Sequence, residues 1–209
     1  MTIIQKLREK DTDFKENALN ALKTETIFSE LLEALTSKED TVRSNSFQSL
    51  LYLSEEYPER VYPHWDYFAG LLTSRNAYHK YIGIYIIAVL AQHDEERKFE
   101  SLFDMYFGLL DDKSVIPPSH IARNVGKIMK THSHLEEEII NRLLSIDETQ
   151  HEPGRKALIK GYIIEAFHDC FGEIKDKKRI IDFVREQTES ESPKTRKAAK
   201  EFLRRWDHE

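Results

Sequence analysis

The feature that most constrains the fold is a helical apolar period that breaks at regular intervals. Ile27, Phe28, Leu31, Leu32 and Leu35 form one stripe on a 3.6-residue helix. Similar stripes follow at Phe47–Leu53, Phe99–Leu110, Leu135–Leu144 and Ile180–Val184. The turns that begin at Leu35, Leu72, Leu110 and Ile146 recur at intervals of about 38 residues. Two helices in each interval predict a stack of helical hairpins, because one hairpin alone cannot bury both of its faces.

The breaks and the composition both favour an all-α chain. Glycine and proline are few, at 7 and 6 of 209 residues, and we find no alternating strand pattern and no hairpin-turn dipeptide. We therefore predict a right-handed α-α superhelix of five to six stacked hairpins, forming a single domain over residues 1–209. The expected units are 1–24, 25–57, 58–93, 94–133, 134–171 and 172–209, of which 1–24 is a short N-terminal cap and 25–209 holds the repeats.

Two segments carry a family resemblance. Asp40-Thr41-Val42-Arg43, followed by Phe47, Leu50 and Leu51, resembles the second helix of a HEAT repeat. Residues 192–200, followed by Phe202 and Leu203, resemble it again. The unit at 94–133 departs from the pattern, since Ile116-Pro117-Pro118 stand where a basic residue is expected. The resemblance, to HEAT-like repeats of the armadillo type, covers roughly residues 26 to 206 and implies an α-solenoid without pointing to a specific member.

The resemblance also implies a row of aligned basic residues. In HEAT-like repeats such a residue commonly reaches back to an acidic group in the preceding turn, and Asp40 lies at a suitable spacing before Arg43. The corresponding positions in later units are Lys80, Arg155 and Arg196. We favour a structural ladder for these residues, with ligand contact as the alternative.

The second helix of each hairpin is expected to line a concave surface. On that helix of the third unit, Tyr78, Tyr81 and Tyr85 lie at spacings that place them on one face. On that helix of the fourth unit, Arg123, Lys127 and Lys130 do the same. These six residues are our candidates for partner binding, because tyrosine is frequent in binding hot spots and a basic concave patch could bind an acidic partner or phosphates. The alternatives are core packing for the tyrosines and a solvated basic face for the cations.

The charge and cysteine content exclude several classes of function. A net charge of −6 and a pI near 5.9 argue against a general polyanion binder. With the single cysteine Cys170 there can be no intramolecular disulfide and no cysteine-based zinc site, which suits a reducing compartment. The N-terminus lacks an apolar signal core, and the longest apolar stretch is about ten residues against the ~20 that a membrane span needs. We expect a cytoplasmic protein without membrane contact.

The function that best fits these features is a non-catalytic scaffold or adaptor that binds a protein or peptide segment along the concave face. We find no glycine-rich phosphate loop and no nucleophile elbow, and we predict neither a cofactor nor a metal. The sequence does not indicate an oligomeric state.

Two alternatives remain from other classes. HEAT-like DNA glycosylases that excise alkylated bases are similar in length and repeat type, with Trp65-Asp66 and Trp206-Asp207 as the available Trp-Asp pairs. Nucleic-acid binding is disfavoured by the acidic balance. HD-domain phosphohydrolases are suggested by His93-Asp94 and His168-Asp169, with His64 and Asp147 as possible further ligands. The histidines of His132-Ser133-His134, in a turn between helices, are a further candidate pair of metal ligands.

Overall fold

A computed structural model describes residues 2–207, and every regular element between them is helical. The first seven α-helices are α1 (Ile3–Leu7), α2 (Phe14–Lys23), α3 (Glu25–Ala34), α4 (Asp40–Glu56), α5 (Pro58–Val61), α6 (Trp65–Leu71) and α7 (Ala77–Leu90). The remaining six are α8 (Lys98–Gly108), α9 (Ile116–Thr131), α10 (Glu136–Leu144), α11 (Pro153–Cys170), α12 (Lys177–Glu186) and α13 (Pro193–Trp206). The predicted all-α class is confirmed.

The contacts within the chain divide it into two compact units, with the boundary between Arg97 and Lys98. The first unit contains α1 to α7 and the second contains α8 to α13. The expectation of one domain over residues 1–209 stays a prediction.

In the first unit, α4 packs between α2 and α7. A polar residue caps the start of α2. Asp13 Oδ1 accepts hydrogen bonds from the backbone N–H groups of Lys15 and Glu16 at 2.9 and 3.0 Å, which satisfies two amides that α2 leaves open.

The hairpin at 58–90 departs from the pattern of two continuous helices per unit. Its first half is divided into α5, a 3-10 turn at Tyr62–His64, and α6. Pro63 lies in that turn, and its ring nitrogen has no hydrogen to donate to a helical carbonyl. Trp65 and Phe68 of α6 are nevertheless buried, so the interruption does not remove this segment from the core.

In the second unit, the second helices of three successive hairpins lie side by side, with α11 packed between α9 and α13. Large aromatic side chains fill the core of this unit: Phe99, Tyr106, Phe107, Phe167, Phe171 and Phe202 are all essentially inaccessible to solvent. The hydroxyl of Thr195 on α13 donates to the carbonyl of Ala157 on α11 at 2.5 Å in a buried environment. The helices α9, α11 and α13 thus form one layer of the second unit.

Candidate functional site: surfaces of the second helices

Two arginines of the proposed ladder are held mainly by backbone carbonyls. Arg43 Nη1 donates to the carbonyl of Ser37 at 2.8 Å, and its Nη2 donates to Asp40 Oδ1 at 2.5 Å. Arg196 Nη1 makes the same contact with the carbonyl of Ser190, at 2.6 Å, and a second one with that of Glu191 at 3.1 Å. In both cases the guanidinium binds carbonyl groups of the turn that precedes the helix carrying that arginine.

The other two ladder positions behave differently. Arg155 Nη1 donates at 3.1 Å to the carbonyl of Lys113, which lies in the turn before α9, so this side chain joins two hairpins. The neighbouring residue Lys156 instead contacts the turn before α11, since its Nζ donates to the carbonyl of Asp147 at 2.8 Å. Lys80 lies half-buried on α7. The aligned basic residues therefore do not share one structural contact.

The three candidate tyrosines lie on α7 in the first unit. Tyr81 and Tyr85 are half-buried, and their ring centroids lie 5.0 and 6.0 Å from that of Phe47 and 4.9 Å from each other. Tyr78 is 54% exposed, and the Arg43 guanidinium lies 5.3 Å from its ring centroid. Tyr81 and Tyr85 thus contribute to packing between α4 and α7, and Tyr78 presents most of its ring to solvent.

The three candidate cations lie on α9 in the second unit. Arg123 and Lys130 are exposed and Lys127 is half-buried. The guanidinium of Arg123 lies 4.9 Å from the ring centroid of Tyr162 on α11. The tyrosines thus belong to the first compact unit and the cations to the second.

A groove opens on the second unit along the three adjacent helices. It has a volume of about 600 Å³ and is lined by Arg123 of α9, by Ile164, Glu165, Ala166, His168 and Asp169 of α11, and by Ala198, Glu201, Arg204 and Arg205 of α13. We call it the α11 groove. Ile164, Ala166 and Ala198 are buried, and the charged residues around them are exposed, so small apolar groups lie beneath a charged rim.

Of the six residues that the sequence suggested for partner binding, only Arg123 lines the α11 groove. Glu165, Asp169, Glu201 and Arg205 repeat at four-residue spacing on two helices, which places each pair on one helical face. That spacing could have pointed to the groove, but it does not reveal that α9 and α13 flank α11.

In the His-Asp pairs of the phosphohydrolase alternative, Asp94 and His168 contact aromatic side chains. Asp94 accepts a hydrogen bond from the Tyr62 hydroxyl at 2.5 Å, and burial together with this carboxylate raises the pKa of Tyr62. The ring of His168 packs against the rings of Phe202 and Trp206, with centroids 6.0 and 6.2 Å apart. Across residues 2–207, no group of three or more His, Cys, Asp or Glu side chains is arranged to hold a metal ion.

The single cysteine and the two tryptophans of the base-excision alternative are buried or packed against other rings. Burial raises the pKa of the Cys170 thiol to about 12, and its sulfur donates to the carbonyl of Ala166 at 3.2 Å, so the thiolate is strongly disfavoured. Trp65 is 3% exposed in the core of the first unit, where its ring cannot stack on an extruded base. Trp206 packs against Phe171, with ring centroids 5.2 Å apart.

Comparison with known proteins supports the fold class. No family model and no curated protein sequence matches the chain. Among solved structures, it is similar to a designed armadillo repeat protein in complex with the peptide (KR)4, at 12% identity and a TM-score of 0.50, over 97% of each chain. An engineered protein aligns at 15% identity and a TM-score of 0.49, over 98% of this chain and 96% of that one.

The similarity to the designed armadillo repeat protein agrees with the hairpin pattern seen in each unit. The chain is thus an all-α helical-repeat protein, as its apolar period predicts. No described helix combines the length and the apolar character needed to cross a membrane.

Proposed function

We propose that this protein is a non-catalytic scaffold that binds a segment of another protein on the second helices of its hairpins, with the α11 groove as the main contact. The observation that carries the proposal is the groove itself: an open channel of about 600 Å³ with buried aliphatic side chains beneath a rim of both charge signs. Protein interfaces commonly combine an apolar centre with a polar rim.

The rim offers guanidinium groups to a ligand. Arg123 rests on the face of Tyr162 and has no carboxylate partner among residues 2–207, and the same range contains no carboxylate partner for Arg204. An arginine that is placed by stacking keeps its hydrogen-bond donors available. Its planar group can then bind a carboxylate with two parallel hydrogen bonds.

The shape of the groove favours an extended or helical segment over a small molecule. The groove follows three adjacent helices and is open to solvent, whereas small-molecule sites usually enclose most of the ligand surface. A stack of helical hairpins gives a long binding surface without an enclosed pocket. The designed armadillo repeat protein of similar fold is in complex with a peptide, which agrees with this use of the architecture.

Site-specific photo-crosslinking tests the proposal. We would replace Glu201, an exposed residue of the groove, with a photoreactive amino acid and irradiate the protein in a native cell extract. We expect discrete cross-linked protein bands that weaken by about tenfold or more when Arg123→Glu and Lys127→Glu are introduced, since truncating or reversing hot-spot residues has effects of that order.

The matched control places the same photoreactive residue at Lys178, which is exposed on α12 in the same unit. The proposal predicts that this position yields no band shared with position 201. Equal cross-linking from both positions, or bands at position 201 that survive the double charge reversal, would contradict it.

A further inference from the structure

The last described helix carries charge of almost one sign. α13 contains six Lys or Arg residues and a single carboxylate, that of Glu201. Lys197, Lys200 and Arg204 are exposed and lie at spacings of three and four residues, so they form a row along one helical face. We call these three residues the α13 cation row. They line a second depression of about 440 Å³ together with Pro193, Arg196 and Glu201.

The α13 cation row is little neutralised by the protein itself. Lys197 lies 3.8 Å from Glu201, at the limit of an ion pair. Lys200 and Arg204 have no ion-pair partner within residues 2–207. The remaining cations near the start of α13 are engaged, because Lys194 lies 3.1 Å from Glu165 and Arg196 binds the carbonyls that precede the helix.

The helix dipole favours only one member of the row, because Arg204 lies in the last turn of α13, where positive charge is preferred. Lys197 and Lys200 gain nothing from the dipole, which acts within the first and last turns. Like charges three and four residues apart also destabilise a helix, by roughly 0.2–0.5 kcal/mol per pair. Solubility alone is better served by interspersed charges of both signs. An anionic ligand would offset these unfavourable interactions.

We infer that the α13 cation row binds an acidic protein segment, whose Asp and Glu side chains pair with Lys197, Lys200 and Arg204. This inference rests on the proposed function and specifies the chemistry of the partner at one side of the α11 groove. The row and the groove are continuous, since Glu201 and Arg204 line both.

Carboxylates fit this surface better than a nucleic-acid backbone does. Glu201 lies within the row, and Glu165 and Asp169 line the adjoining groove, so a chain with a phosphate at every residue would meet protein carboxylates along its path. A protein segment can place its acidic side chains opposite the cations and uncharged or basic ones opposite the carboxylates.

Fluorescence anisotropy with the full chain tests the inference, using as the probe a labelled oligoglutamate peptide whose glutamates are separated by serines, and oligolysine and oligothymidylate of matched length as comparisons. We expect oligoglutamate to bind, with an affinity that falls as salt is added. Lys197→Glu together with Lys200→Glu should raise its Kd by about tenfold or more, and the corresponding Lys→Gln pair should raise it by a smaller factor.

The control reverses two exposed lysines of the same unit, Lys175→Glu with Lys178→Glu, which changes the net charge equally. This variant should leave the Kd within about twofold of the original. Absence of oligoglutamate binding, an equal loss in the control, or tighter binding of oligothymidylate than of oligoglutamate would each overturn the inference. Circular dichroism of each variant verifies that these exposed substitutions leave the helices intact.

The two proposals can fail separately. If position 201 cross-links specifically but oligoglutamate does not bind, the acidic partner is wrong and the scaffold function stands. If oligoglutamate binds at the α13 cation row but position 201 yields no specific protein, the groove is not the main contact and the scaffold proposal fails.

Discussion

Arg43 makes two contacts of different character, and their contributions to stability should differ. Its bond to the Ser37 carbonyl is partly buried, and the side chain of Arg43 is 12% exposed. The side chain of Asp40 is 89% exposed, so water screens the ion pair. We expect Arg43→Ala to lower the free energy of unfolding by about 1–2 kcal/mol.

Asp40→Asn is the matched comparison. It should lower the free energy of unfolding by about 0.5 kcal/mol or less, because exposed ion pairs contribute little. Urea denaturation followed by circular dichroism gives both values. If Asp40→Asn proves as costly as Arg43→Ala, the ion pair rather than the carbonyl contact holds the turn.

Individual site residues were predictable from helical spacing only in part. Spacing places Tyr78 on the same helical face as Tyr81 and Tyr85, and of the three only Tyr78 is exposed. It cannot show that Tyr81 and Tyr85 pack on Phe47, because that contact depends on the register between α4 and α7. Arg204 was overlooked for a related reason: it joins Arg123 in one groove only because α11 lies between α9 and α13.

At the scale of elements, two glycines permit close helix packing. A Cβ on Gly161 of α11 would lie 2.6 Å from Thr195 Oγ1 and 3.3 Å from Thr195 Cα. A Cβ on Gly83 of α7 would lie 2.9 Å from the carbonyl oxygen of Phe68. We expect Gly161→Ala and Gly83→Ala each to destabilise the protein by about 1–3 kcal/mol, because overpacking outweighs the better helix propensity of alanine.

Gly70 provides the control, since it is exposed on α6 and a Cβ there would meet no atom within 4 Å. Gly70→Ala should stabilise the protein by up to about 1 kcal/mol through helix propensity alone. Thermal and urea unfolding of the three variants tests this difference of sign. A stabilising Gly161→Ala would mean that α11 and α13 separate easily at this crossing.

Helix existence followed from the sequence more readily than helix packing did. The polar break at 189–193 supplies the capping residue Ser192, and Pro153 and Pro193 begin α11 and α13, where a missing N–H is tolerated. The interruption between α5 and α6 was not predicted, because Pro63 is compatible with a helix start as well as with a 3-10 turn. The close packing of α11 against α13 at Gly161 could not be predicted either, because it depends on Thr195, which is distant in sequence.

At the scale of the whole molecule, histidines in both units should make stability depend on pH. Burial lowers the pKa of His64 and His79 in the first unit. In the second unit, burial and the nearby Arg123 lower the pKa of His120 to about 4. In the unfolded chain these imidazoles take up a proton near pH 6.5. Between those values the unfolded state binds more protons, so stability rises with pH.

We therefore expect the free energy of unfolding to decrease as the pH is lowered from about 6.5 towards 4, with His120 contributing most near the acidic end. His120→Asn should flatten this part of the profile, because asparagine takes up no proton in either state. The comparison concerns the slope against pH and not the absolute stability, which any repacking around the new side chain can change. An unaltered slope in His120→Asn would show that His120 is equally protonated in the folded and unfolded chains, and that acid destabilisation arises elsewhere.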